Sequence, residues 1–105
     1  MAIIHELIEQ AEAESLDEKA KHIGFIVALS GTLYTCSLSR HSAVYIEKNE
    51  IEWEFEWELW RETHLPGKRY LMSFKIIASS KDFKYILRKA ENYMKYIQKK
   101  RETDL

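Results

Sequence analysis

Residues 50–60 read Glu50-Ile51-Glu52-Trp53-Glu54-Phe55-Glu56-Trp57-Glu58-Leu59-Trp60. Carboxylates and large apolar side chains alternate with a period of two. In an extended strand successive side chains point to opposite faces, whereas a helix would scatter this pattern around its circumference. The stretch therefore predicts a strand with Ile51, Trp53, Phe55, Trp57 and Leu59 on a core face and Glu50, Glu52, Glu54, Glu56 and Glu58 on the opposite face. At ~3.3 Å per residue the strand would span roughly 36 Å, long enough to call for a bend or bulge. Trp60 falls on the Glu side. Either it is an outward interface anchor, or a bulge turns it inward.

The neighbouring segments supply the rest of a sheet. Strands are predicted at residues 24–29, 32–39 and 43–47, with turns at Ser30-Gly31, Arg40-His41-Ser42 and Lys48-Asn49. In the second, Tyr34, Cys36 and Leu38 alternate against Thr35, Ser37 and Ser39. Leu65-Pro66-Gly67-Lys68 suits a type II turn, with Pro presetting φ and Gly accepting the positive φ. A fifth strand is expected at residues 69–78. There Arg69 and Lys75 could face the Glu row, each cross-strand pair contributing ~0.2–1 kcal/mol.

Helices are expected at both ends. Ile3, Ile4, Leu7, Ile8 and Ala11 recur at helical spacing opposite Glu6, Glu9 and Glu12, which predicts a helix over residues 2–14. Ser15-Leu16-Asp17-Glu18 has the form of a capping box. It starts a second helix over residues 16–22 or lies within one longer, kinked helix. Ser79-Ser80-Lys81-Asp82 has the same form, and Phe83, Ile86, Leu87, Ala90, Met94 and Ile97 follow on one face of a helix over residues 81–101. The expectation is an α+β fold of one domain, residues 1–105. An antiparallel four- to five-stranded meander is flanked by an N-terminal helix and a long C-terminal helix packed on one face.

Bulk composition narrows the function classes. The 105 residues are 46% hydrophobic and 31% charged, with a single cysteine, Cys36. No internal disulfide framework is available, which leads us to expect a cytoplasmic protein. The longest apolar run, residues 23–29, is far too short to cross a membrane, and no signal-peptide pattern opens the chain. The net charge of −1 hides segregation. Residues 1–20 and residues 47–62 each sum to −5, while residues 68–101 sum to +9.

Nothing in the chain assembles a recognisable reaction. There is no phosphate-binding loop, dinucleotide fingerprint, zinc-protease motif or nucleophile elbow. His5, His22, His41 and His64 fall in four separate elements without metal-ligand spacing. Cys36 shares its face with Tyr34 and Leu38, as a structural thiol would. No enzyme activity, metal or cofactor is expected. The first expectation is a protein-binding protein (an inhibitor, immunity-type, adaptor or complex subunit) whose Glu50, Glu52, Glu54, Glu56, Glu58 and Trp60 engage a basic partner protein. Homo-oligomerisation is a further expectation, because the edge strands of a meander can pair across a two-fold axis.

The alternative is single-stranded nucleic-acid binding by the basic C-terminal helix. Lys84, Arg88, Lys95 and Lys99 would contact phosphates and Tyr96 would stack on a base. Pro66-Gly67-Lys68-Arg69, followed by a strand and a long helix, resembles the end of single-stranded-DNA-binding transcriptional coactivators. The resemblance covers residues 66–101. The chain departs from it in a longer strand, and in an acidic preceding strand where such proteins use a basic groove.

Overall fold

The structure is a computed structural model that describes residues 2–64 and 72–103, with side chains for residues 6–64 and 72–101. Its elements are α1 (Ala2–His22), β1 (Ile26–Leu29), β2 (Leu33–Ser39), β3 (Ser42–Ile51), β4 (Glu54–His64), β5 (Met72–Ser80) and α2 (Phe83–Thr103). The five strands form one antiparallel meander in the order β1-β2-β3-β4-β5. Both helices pack on one face of it, giving the expected α+β sandwich. The predicted turn at Leu65-Pro66-Gly67-Lys68, and with it Arg69, lies outside the described residues.

The alternating stretch is not one strand. Register runs unbroken from Ser42↔Thr63 to Ile51↔Glu54, so Glu52 and Trp53 form a two-residue turn in its middle. A two-residue turn flips the parity of the alternation, because Ile51 and Glu54 pair and share a face. Glu50 consequently lies opposite Phe55 on the helix-bearing face, and Ile51 joins Glu54, Glu56 and Glu58 on the other. Glu52 takes φ 57°, a left-handed conformation usually left to Gly or Asn. That substitution is why no turn signal stood in the sequence. The reversal expected at Lys48-Asn49 does not occur; both residues sit inside β3.

The core lies between this sheet face and the helices. Tyr34, Val44, Ile46, Trp57 and Leu59 meet Phe83, Ile86 and Ala90 of α2 and Ala20 of α1, all buried. The Trp57 and Phe83 rings approach to 4.6 Å, and Phe83 lies 5.8 Å from Tyr34. Of the three aromatic residues expected under α2, only Trp57 is there. Trp53 is 99% exposed at the hairpin tip. Phe55 is exposed too, with Lys48 Nζ 4.8 Å above its ring. The tip outruns both flanking strands, whose pairing stops at Glu47 and Trp57.

α1 is continuous through Ser15-Leu16-Asp17-Glu18, so the capping-box expectation gives way to its single-helix alternative. Asp17 is recruited elsewhere. Its buried carboxylate accepts hydrogen bonds from Ser30 Oγ at 2.5 Å, Tyr34 Oη at 2.7 Å and the Gly31 N–H at 2.9 Å. Gly31 has φ +70°, and a Cβ there would stand 2.8 Å from Ala13 Cβ. Glycine thus permits both the turn and the close approach of α1. Leu7 and Ile8, expected on a packed helix face, are exposed; among the described residues of α1 the buried ones are Asp17 and Ala20, near its C-terminal end. At the other end, Asp82 caps α2: its Oδ1 accepts from the Lys84 N–H at 3.0 Å, and Ser80 Oγ accepts from the Asp82 N–H.

Candidate functional site

With both helices on one side, no described element covers the opposite face of the sheet. Register places one residue from each strand in a row across it: Ile26↔Thr35, Thr35↔Tyr45, Tyr45↔Trp60 and Trp60↔Ile76. Phe74 and Met72 continue the apolar surface along β5, opposite Glu62 and His64. Ile26 is 67% exposed, Ile76 62% and Phe74 60%. A contiguous apolar surface of this kind, rimmed by polar groups, is characteristic of interaction sites.

The row is held rigid by its own rings. Tyr45 and Trp60 stack with centroids 4.2 Å apart and planes at 11°, and Phe74 tilts against Trp60 at 5.7 Å. Such pairs contribute about 0.5–1.5 kcal/mol beyond area burial. Trp60 therefore faces outward, settling the two orientations left open by the sequence. The bulge lies on β5 between the partners of Leu59 and Trp60. It turns Ile77 toward the core while Ile76 stays on the open face. Beside the rings, Glu62 binds His64 Nε2 at 2.8 Å. Burial and a hydrogen bond to Glu62 push the Tyr45 phenol above its ordinary value.

Acids border the row toward the hairpin tip. Glu47 and Glu58 are direct cross-strand partners on this face, followed by Glu56 opposite Asn49 and Glu54 opposite Ile51. Like charges directly opposite one another are destabilising, and Asn49 Nδ2 donates to Glu58. Among the described residues the basic segment does little to neutralise them. Lys75 pairs with Arg61 on the helix-bearing face, not with the Glu row. Lys81 reaches Glu54 at 3.8 Å and Lys48 reaches Glu50 at 3.5 Å. Glu56 and Glu58 have no cationic partner among the described residues.

Of the expected binding set, the structure gathers Glu54, Glu56, Glu58 and Trp60 on one face. Glu52 is at the turn and Glu50 behind it. Missed by the sequence reading were Tyr45, Ile26, Phe74 and Ile76. The alternation Met72-x-Phe74-x-Ile76 is the signal for the last two, but an apolar strand face has the same pattern whether it is covered or open.

The alternative set lies on α2. Lys84, Arg88, Lys95, Lys99 and Tyr96 are exposed on the helix, away from the open sheet face. Lys95 pairs with Glu91 at 2.9 Å, and Arg88 lines a groove that also holds Glu18 and Glu91. Among the described residues no cluster of His, Cys, Asp and Glu could hold a metal ion. Cys36 is half-buried, and burial pushes its thiol up. No helix of the described residues is long and apolar enough to cross a membrane.

Compared with protein-family models, with curated proteins and with solved structures, the chain matches none of them.

Proposed function

We propose that this protein binds another protein through the open face of its sheet. The observation that carries the reading is the register-aligned row from Ile26 to Ile76, with stacked Tyr45 and Trp60 at its centre, on the face that neither helix covers. The partner has an apolar patch for the rings and a basic margin for Glu47, Glu54, Glu56 and Glu58. Rigid aromatic anchors supply affinity at low entropic cost, and the carboxylates steer approach. The protein is then an inhibitor, adaptor or complex subunit rather than an enzyme, and a cytoplasmic setting suits its lone thiol.

Phe74→Ser with Ile76→Ser tests this reading, since both side chains are exposed and contribute little to the core. Affinity purification from the native host should recover a partner with the unmodified chain. The double variant should weaken that capture by a factor of roughly ten or more, while the melting temperature falls only by what the Phe74–Trp60 ring contact contributes. Equal capture by both proteins would refute the reading. If the face instead binds a second copy, light scattering shows a dimer that the same variant dissociates.

The alternative reading, single-strand binding on α2, rests on the exposed bases and Tyr96. A labelled oligonucleotide titration separates the two. Micromolar binding that falls steeply with salt and disappears in Lys84→Ala, Arg88→Ala, Lys95→Ala would support it.

A further inference from the structure

Arg61 sits on the helix-bearing face of β4, at the far end of the core from the hairpin tip. Its Nη1 donates to Tyr93 Oη at 2.9 Å and its Nη2 to Ser42 Oγ at 3.2 Å. Its Nε is buried without an acceptor. Both partners are neutral hydroxyls, so among the described residues no carboxylate balances this half-buried guanidinium. A partly desolvated cation with an unmet donor is costly unless an anion completes its bonding.

The surroundings add to that charge. Lys75 is the direct cross-strand neighbour of Arg61, and like charges so placed repel. A cavity of about 320 Å³ opens beside the guanidinium, lined by Ser39, Ser42, Arg61, Lys100 and Arg101 together with the apolar Leu38 and Ile97. Arg101 is steered there by donating from Nη1 to the Leu38 carbonyl at 2.8 Å. Ser39 Oγ and Ser42 Oγ lie 3.2 Å apart at the wall. No acidic side chain lines the cavity among the described residues. A tie between the sheet and Tyr93 would need only a neutral donor. A planar guanidinium, two further cations and two hydroxyls around one hollow is what a tetrahedral oxyanion requires.

We propose that this cleft, between the last turns of α2 and the β2–β3 turn, binds a phosphate group. Arg61 forms the floor and offers its fork. Lys100 and Arg101 close the rim, Arg101 held toward it by its bond to the Leu38 carbonyl, and the serine hydroxyl that does not donate to the other donates to a remaining oxygen. The volume admits a phosphate monoester with the first atoms of whatever carries it. The site lies on the opposite side of the sheet from the aromatic row, so its failure leaves the protein-binding reading standing, and the converse holds.

Inorganic phosphate is the probe. It should raise the melting temperature saturably, beyond the effect of sodium chloride at equal ionic strength, as a ligand of the native state does. Amide shifts should concentrate at Ser39, Ser42, Arg61, Lys100 and Arg101. Lys100→Ala with Arg101→Ala, both at exposed positions, should weaken phosphate roughly tenfold or more, while the phosphate-free melting temperature falls only by what the Arg101–Leu38 bond contributes. Arg61→Lys keeps the charge but loses the fork, and should weaken binding further. The proposal is overturned if sodium chloride matches phosphate, or if the rim variant responds as the unmodified protein does. It is equally overturned if short single strands with and without a 5′-phosphate bind alike while inorganic phosphate gives no saturable effect. The surface would then read a polyanion along α2 rather than a phosphate group in this cleft.

Discussion

Asp17 shows how one side chain fixes the docking of a helix. Burial alone would raise its carboxyl, but hydrogen bonds from Ser30, Tyr34 and the Gly31 N–H outweigh that and hold it below the ordinary 3.8. The same contact works on the other partner: burial, then Asp17, raises the Tyr34 phenol well beyond its usual range. A lowered folded-state value means the ionised form stabilises the fold. That contribution is fully present above the unfolded value and is lost as pH falls through the lower, folded one. Acid denaturation should therefore show a loss of stability beginning below about pH 4. Asp17→Asn should remove that component, because the amide carries no charge. It should also cost about 1–3 kcal/mol at neutral pH, since one amide oxygen cannot accept three donors as well as a carboxylate does. Urea melts of both proteins across pH 3–7 check this. Parallel pH curves for the two would refute the assignment.

Among the elements, the β3–β4 hairpin best shows what was legible and what was not. The period of two correctly announced extended structure on either side of Glu52-Trp53, and Phe83, Ile86 and Ala90 correctly announced the packed face of α2. What the alternation could not reveal was its own midpoint. A turn built from Glu52 and Trp53 carries none of the Gly or Asn chemistry that marks a left-handed residue, and parity flips silently across it. The face assignments of Glu50, Ile51, Trp53 and Phe55 failed for that one reason. The site failed to emerge for a related one: β5 has Ile76 outside and Ile77 inside, and the bulge, which puts Ile76 and Ala78 on opposite faces, leaves no mark in the pattern. The Asp17 contact was invisible because it joins residues 13 to 17 positions apart through a turn whose approach to α1 no local pattern encodes. The turn also yields a stability test. Left-handed backbone costs a side-chain-bearing residue roughly 1–2 kcal/mol, part of which returns as unfolded-state entropy when Gly replaces it. Glu52→Gly should accordingly stabilise the protein by about 1 kcal/mol, measured by chemical denaturation. A destabilised variant would show that the Glu52 side chain makes a contact worth more than its strain.

At the scale of the whole molecule, charge and order are both distributed by the sheet. Carboxylates crowd the open face and the hairpin, while the bases of α2 lie behind the sheet, where Glu18 and Glu91 share a groove with Arg88. The open face and the cleft beside Arg61 lie on opposite sides of the sheet, which lets one small chain carry a protein face and a phosphate cleft. Order follows the same geometry. β3 and β4 are flanked on both sides in their inner halves, where Val44, Ile46 and Leu59 are buried. Beyond Glu47 and Trp57 neither pairs with a third strand in register. The ribbon's ties to the rest are a Lys48 N–H bond to the Thr32 carbonyl and the exposed Lys81–Glu54 pair, and a two-stranded ribbon so weakly held is marginal in water. In α1, Leu7 and Ile8 are exposed and lie outside the core cluster. Amide hydrogen exchange should divide accordingly. Val44, Ile46 and Leu59 should exchange only through global unfolding, with the denaturant dependence of the full transition. Residues 49–56 and residues 6–12 should exchange orders of magnitude faster and with little denaturant dependence. Protection of the tip equal to that of Leu59 would mean the ribbon is packed against something, most simply a second copy. It would then belong to an interface instead of being a free arm carrying Trp53 into solvent.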